Sequence, residues 1–493
     1  MQVCDSDPAN SDCSLRGAIN RAHANGGTDT ITFAIPDTDP GYVATTAHWR
    51  FTPASEYPYV TDDLIIDGYS QPGAEENTQT PEQGGSNATL KIELRGPGVS
   101  AQSTGLHAVN GDARLTLRGV AINRFQTNLQ LWTPGPHHVE GCFIGTDITG
   151  MLAAESTNGS GIGIRLNGQL IAGDGTPASR NVISGNPYIG IWDDRNSAHS
   201  TIQGNLIGTN AAGTAALPGQ DYGIYAVSIG NGALVGGSDP SQRNLISGNT
   251  IGALNISPQI SGANSQPYRV VGNFIGTDFS GTLPIGNGIN PQSPSQPQPS
   301  ISVFGLGSCG LEIGGDGAGE GNLIGFGGRE GILVNACDRA PIIGNRFVLN
   351  RGVAIDLSTS NADIGPTPND PGDADANPPP GGGAFLSGNR LQNSPEILAL
   401  VYSGNYVTLT YRVDTDVANA TYPLRIDIAR GRAGQAEFPV AIDSYGAIDA
   451  GLPKSITFPA SALAGGALVL SATDAAGNTS EFGGEHLFAD SFE

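Results

Sequence analysis

The chain reads as an all-β protein: a right-handed parallel β-helix with an N-terminal helical cap, followed by an immunoglobulin-like β-sandwich. Three observations predict this. A short phrase built on Asn, two apolar residues and Gly recurs as NVISGN from Asn181, NLIGTN from Asn205, NLISGN from Asn244, NFIGTD from Asn273, NLIGF from Asn322 and NRFVLN from Asn345, with CFIGTD from Cys142 carrying Cys in the Asn place. The starts are separated by 39, 24, 39, 29, 49 and 23 residues, so long and short steps alternate, and the short ones match one turn of a β-solenoid. Near residue 396 this pattern gives way to runs of alternating or apolar residues spaced by turn signals, as in a sandwich.

Each step holds three strand-like pieces. After the Asn phrase comes a Gly-Ile piece (GIGIR at 161–165, GIWDD at 190–194, GIYAV at 223–227, GILVN at 331–335), then a third piece ending in Gly, such as TIQG at 201–204 or RVVG at 269–272. Three short strands per turn with Gly at the corners describe a parallel β-helix. The third residue of each phrase is Ile144, Ile183, Ile207, Ile246, Ile275, Ile324 or Phe347, an inward apolar stack. The Asn residues are expected to stack at one corner about 4.8 Å apart, close enough for side-chain amides to bond along the axis.

Ahead of the first strand, SLRGAINRAHANGG from Ser14 places Leu15, Ala18, Ile19 and Ala22 at helical spacing and ends at Gly26-Gly27. A helix here covers the open end of a solenoid, whose terminal turn otherwise exposes its core and strand edges. The expected divisions are a cap over 1–29, the β-helix over 30–395, the sandwich over 396–485 and a short tail over 486–493.

The 493 residues carry a net charge of −23, which argues against nucleic-acid binding, since that needs a basic surface, and disfavours polyanionic glycans without a bridging cation. No apolar run approaches the roughly 18 residues of a membrane span. Met1 runs straight into folded-looking sequence, the start expected of a mature form. Five cysteines are present. Cys4 with Cys13, and Cys309 with Cys337 on neighbouring turns, are placed to pair, leaving Cys142 as a buried thiol. Such placement points to an oxidising compartment, against the alternative of five reduced thiols.

The entry segment CSLRGAI at 13–19, the phrases LIIDGYSQPGA at 64–74 and LRGVAINRF at 117–125, and repeats of the form GNxIGTDxxGT and RNxISGN together resemble secreted bacterial right-handed β-helix repeat proteins, the pectate-lyase-like solenoids. The resemblance covers most of 1–395. It implies the fold and a secreted or cell-surface location, but leaves function open, because such solenoids host lyases, hydrolases, epimerases and adhesins. The end, LFADSFE, resembles the tails of some exported proteobacterial proteins.

The long steps carry their extra residues between the Asn phrase and the Gly-Ile piece: inserts from Thr146, Thr209 and Thr277. Insertions on one side of a solenoid often mark its binding face. The last insert, rich in Pro, Gln and Ser, reads as mobile or extended. No catalytic triad, zinc spacing or phosphate loop is present, and the adjacent His137 and His138 point to opposite faces of a strand.

The Gly-Ile strands carry the candidate site. With Ile162, Ile191, Ile224 and Ile332 inward, Trp192 and Tyr225 face outward one rung apart, either as a platform for sugar rings or as a lateral aromatic ladder. Two residues further on lie Arg165 and Asp194, a substrate-binding pair or a surface ion pair. Asp193 takes an apolar position, so either the strand ends early or its carboxyl has a raised pKa. Asp221, just before the next strand, is expected near Asp194. The leading expectation is a polysaccharide-cleaving enzyme, hydrolysis ahead of elimination, with Asp194 and Asp221 as acid and base or nucleophile and Asp193 in reserve. Trp192, Tyr225 and Arg165 would bind the substrate. The alternative is a non-enzymatic adhesin or stalk. Near the end of the helix, Asp370, Asp373 and Asp375 with Asn377 read either as a structural Ca²⁺ loop or as a solvated acidic turn.

Overall fold

The computed structural model describes residues 14–484 apart from 25, 155–159, 195–198, 228–231, 258–265, 359–364, 377–386, 433 and 464–465. Cys4, Cys13, Asn377 and the tail over 486–493 therefore lie outside the described residues.

Successive strands go in rotation to three sheets of 11, 9 and 10 strands, parallel throughout except for the antiparallel pair Tyr42–Val43 and His48–Phe51 at the start of the first, the arrangement of a parallel β-helix. The Asn phrases form the first sheet, with pairs such as Val182–Ile183, Leu206–Ile207 and Leu245–Ile246 in direct register. The Gly-Ile pieces form the second (Ile162–Leu166, Ile189–Asp193, Tyr222–Val227) and the Gly-terminated pieces the third. The third residues of the phrases stack inward as expected: Ile144, Ile183, Ile207, Ile246, Ile275 and Ile324 are all fully buried, and Phe347 nearly so.

The Asn ladder forms. Asn181 Nδ2 donates to Asn205 Oδ1 at 2.8 Å, and the chain continues through Asn244, Asn273 and Asn322 to Asn345 at 3.1, 2.9, 3.0 and 2.8 Å. Each amide also donates to a main-chain carbonyl, as Asn244 does to Ile202 O at 2.8 Å, so the corner's polar groups are satisfied without water. Cys142 stands at the end of the ladder: its backbone N–H donates to Asn181 Oδ1, and its thiol faces the Leu117 and Glu140 carbonyls at 3.4 and 3.3 Å. Its thiol is free and enclosed, and burial pushes its pKa up to about 12.

A second ladder, not anticipated above, runs Asn128, Asn186, Gln220, Asn249, Asn287 through four side-chain amide bonds of 2.9–3.1 Å. Asn186 and Asn249 close the SGN phrases of short steps, whereas Gln220 and Asn287 are delivered by the long inserts. Each insert begins as a small hairpin. Bridges join Thr146 to Ala153, Thr209 to Ala216 and Thr277 to Pro284. In each, the next side chain caps the turn: Asp278 Oδ1 accepts from Thr282 N and Leu283 N at 3.1 and 3.0 Å. The third insert is thus not an extended linker: Ser293 N donates to Asn290 O, Gln296 N to Ser293 O and Gln298 N to Gly288 O.

At the N-terminal end, the helix Leu15–His23 buries Leu15, Ile19 and Ala22 against the solenoid core. At the other end, two three-stranded antiparallel sheets enclose a separate core of Leu409, Tyr411, Ile426, Tyr445 and Leu470 among others. Numbered in chain order, their strands run 1-2-5 in one sheet and 4-3-6 in the other. Segments of this unit close the solenoid. Phe347 N donates to Ala436 O at 2.9 Å, Asn350 Nδ2 to Gln435 Oε1 at 2.8 Å, and Ile342 N to Thr479 Oγ1 at 2.9 Å. The last rung therefore presents no bare strand edge along these bonds. Cys309 and Cys337 form a disulfide across neighbouring turns, Cα atoms 5.6 Å apart.

Candidate functional site

The outer face of the second sheet carries one column in continuous register: His107, Gln130, Arg165, Trp192, Tyr225, Asn255. Arg165 is thus level with Trp192, not with Asp194. The expected alignment of the first turn is two residues out, since Ile164, not Ile162, pairs with Ile191. GIGIR holds two Gly-Ile pairs, and a two-residue slip leaves the inward and outward faces unchanged, so the hydrophobic pattern alone does not choose between them.

The corrected register builds an aromatic run. The Arg165 guanidinium lies between two indoles, 5.5 Å from the Trp132 ring centre and 4.6 Å from that of Trp192. Its Nη2 also reaches Asp194 Oδ2 at 3.2 Å. Trp192 meets Tyr225 at 5.8 Å and Tyr188 at 6.3 Å, and Tyr222 meets Tyr225 and Tyr188 at 5.3 and 6.2 Å, all close to edge-on. Of the two readings of Trp192 and Tyr225, the edge-on packing is that of a lateral aromatic ladder; it suits the ring quadrupoles better than face-to-face stacking. Trp132 is 40 % exposed and offers the most open ring of the run. Sequence reading missed it because its strand, Thr127–Leu131, belongs to a turn without a Gly-Ile phrase.

The three candidate acids part company. Asp193 points inward, fully buried, in the column of Leu166 and Ala226. Burial, and then the neighbouring Asp194, holds its pKa well above the carboxylate range. Of the two alternatives, the side chain does not swing out: the strand Ile189–Asp193 includes it and its carboxyl is enclosed. A group inside the solenoid does not touch a ligand on its surface, so Asp193 leaves the set of catalytic candidates. Asp221 and Asp194 sit at opposite ends of their strands. Tyr222 registers with Ile189, which puts Asp221 level with Tyr188, six residues before Asp194. At about 3.3 Å per residue the two are roughly 20 Å apart, far beyond the ~5–9.5 Å of glycosidase carboxyl pairs. The expected acid–base pair does not form, because neighbouring positions in sequence pattern fall at opposite edges of the sheet.

Asp221 instead lines a cleft of about 440 Å³ between the second and third inserts. Its Oδ1 accepts from Thr250 Oγ1 at 2.6 Å, and burial raises its pKa. His137 is enclosed in the solenoid, where its Nδ1 accepts from Leu115 N, while His138 lies on the outer side; they share no site.

At the junction with the sandwich, carboxylate oxygens of Asp370, Asp373 and Asp375 lie within 4.8 Å of one another. Asp373 is buried and accepts from Gln392 Nε2 at 2.8 Å and Thr415 Oγ1 at 3.1 Å. Asp370 Oδ2 takes Ala374 N and Asp375 N, whereas its Oδ1 is enclosed with no hydrogen-bond donor. Burial, augmented by the neighbouring carboxylates, lifts Asp373 to about 7 and Asp375 to about 6. Three crowded carboxylates, one of them buried and one with an unused enclosed oxygen, are a donor set of the hard kind that Ca²⁺ takes.

No family model matches this chain, and no curated protein matches it. Among the described residues, no helix is long and apolar enough to cross a membrane.

Proposed function

We propose that this protein is a glycan-binding solenoid of the cell exterior, which holds a neutral polysaccharide against the outer face of its second sheet. The observation that carries this is the unbroken contact run Trp132–Arg165–Trp192–Tyr225–Tyr222–Tyr188. Aromatic edges and faces with a fixed guanidinium among them offer apolar contact to C–H faces of sugars and hydrogen-bond donors to their hydroxyls. The charge of −23 favours a neutral chain over a polyanion. Cleavage by an Asp194–Asp221 pair has no support at about 20 Å separation.

The same reading takes the solenoid as right-handed and pectate-lyase-like, Leu15–His23 as its cap, and the terminal unit as an immunoglobulin-like sandwich. The 1-2-5 and 4-3-6 strand orders support the last of these. The Cys309–Cys337 disulfide supports an oxidising, extracytoplasmic setting.

Affinity electrophoresis of the full chain through gels containing galactomannan, hydroxyethylcellulose, arabinoxylan or dextran tests the proposal, with polygalacturonate as the anionic comparison. At least one neutral polymer retards the protein and polygalacturonate does not. Trp132→Ala and Trp192→Ala each weaken retardation about tenfold, the equivalent of one stacking contact of ~1.4 kcal/mol. Equal retardation of both variants and wild type would remove the aromatic run from the binding face.

Asp370, Asp373 and Asp375 are proposed to hold a structural Ca²⁺ that ties the end of the solenoid to the sandwich. Added Ca²⁺ then raises Tm and a chelator lowers it, because ligand bound only by the folded state contributes RT ln(1 + [L]/Kd). Asp370→Asn abolishes the response. A Tm indifferent to millimolar Ca²⁺ leaves the cluster as an acidic turn.

A further inference from the structure

Long and short steps alternate along the chain, and this builds a slot. The inserts from Thr209 and Thr277 rise from turns two rungs apart, about 9.6 Å at 4.8 Å per rung. The turn between them, which begins at Asn244, has no insert. Its Gly248 and Thr250 form the floor of the 440 Å³ cleft, within the size range of small-ligand sites. Pro218 walls one side; Pro284, Ile285, Ile289 and Pro291 wall the other.

One charged side chain lines this apolar slot, that of Asp221. Its backbone is fixed on both sides, N–H to Tyr188 O and C=O to Ile251 N and Gly252 N. Thr250 occupies Oδ1, and no donor among the described residues occupies Oδ2. A half-desolvated carboxylate oxygen at the floor of a cleft accepts a donated O–H strongly. An anion is repelled. A hard cation needs 6–8 oxygens, and no second acid lines the slot. That leaves organic ligands able to donate to a carboxylate, and of these the glycan-binding reading selects a neutral one with apolar faces and at least one hydroxyl. Asp221 is followed directly by Tyr222, so the aromatic run ends at the rim of this slot.

We propose that the slot between the second and third inserts is a subsite for one sugar residue, an end or a branch, of the neutral glycan lying on the aromatic run. Asp221 Oδ2 accepts a hydroxyl of that residue, and the proline and isoleucine walls pack its C–H faces. The assignment rests on the glycan-binding reading above.

The test applies the same affinity gels to Asp221→Ala and Thr250→Val of the full chain, each first shown to melt as wild type does. For the neutral polymer that retards wild type, both variants bind at least tenfold more weakly, as expected for losing a hydrogen bond to a charged acceptor or the group that orients it. Wild-type binding also tightens as pH rises through the Asp221 pKa, since the carboxylate is the better acceptor, and Asp221→Ala loses that dependence. Retardation of wild type with Asp221→Ala unchanged would overturn the subsite and leave the aromatic face standing. If none of the four neutral polymers retards wild type, the glycan-binding reading falls and takes the subsite with it.

Discussion

Asn244→Ala and Asn273→Ala each lower the free energy of unfolding by about 3 kcal/mol, the upper end of the ~1–3 kcal/mol for one orphaned buried group. The upper end is expected because each substitution orphans several partners. Without the Asn244 side chain, Asn205 N and Nδ2, Ile202 O and Asn273 Oδ1 all lose a bond inside the fold. Asn273 likewise serves Asn244, Asn322, Val235 O and Val271 O. Asn345 ends the ladder and is half-buried, so Asn345→Ala has the smaller effect. Urea denaturation of the three variants measures this. Unchanged midpoints for Asn244→Ala and Asn273→Ala would show that the amides carry no net stability at that corner.

With a chelator present, the protein loses stability as pH rises from about 4 to 8. Three buried carboxyls and the half-buried Asp221 set the sign. Burial raises the pKa of Asp193 well above its ordinary value and that of Asp221 above it, lifts Asp373 to about 7 and takes Glu481 to about 8. An acid whose folded pKa exceeds its unfolded pKa binds more protons when folded. Its stabilising contribution is complete below the unfolded value, near 4, and is lost progressively up to the folded value. Each raised unit corresponds to about 1.4 kcal/mol, so Asp373 and Glu481 together contribute on the order of several kcal/mol, and Asp193 acts in the same direction. Below pH 4 the trend reverses, because Glu93, held low by its bonds to His48, Asn123 and Arg50, and Asp278, held low by Leu283 N and Ser280, must then be protonated. Asp193→Asn flattens part of the slope between pH 4 and 8. A stability that rises steadily from pH 4 to 8 in chelator would contradict these assignments.

The sequence made the solenoid legible because its period is written twice, in the Asn phrase and in the apolar residue two places on. The same periodicity hid the second amide ladder. Asn186 and Asn249 recur at a fixed offset, but Gln220 and Asn287 reach the same corner from inserts of unequal length, which carry no period. Asp193 stood out as a polar residue in an apolar column, and the structure places it there. The pairing of Asp194 with Asp221 failed on geometry: the expected register of Ile191 with Ile224 is the one that forms, but Asp194 lies three residues after the first and Asp221 three before the second, so rung spacing alone did not bring them together. The inserts marked the side on which the Asp221 cleft lies, but not the cleft itself, since it arises from how two of them stand across a shorter turn. Trp132 escaped for the opposite reason, following directly on a regular strand, Thr127–Leu131, whose turn lacks the phrase that marks the others.

Trp132 and Trp192 lie on the proposed binding face, and the third tryptophan, Trp49, is buried near the N-terminal end, its Nε1 bonded to Pro36 O. Indole fluorescence therefore reports on that face. Titrating the full chain with the neutral polysaccharide that retards it in gels should give a saturable change in emission, lost in Trp132→Phe/Trp192→Phe, where only Trp49 remains. Saturable binding detected by retardation, with emission from Trp132 and Trp192 unmoved, would place the glycan elsewhere on the molecule and contradict the aromatic face as its site.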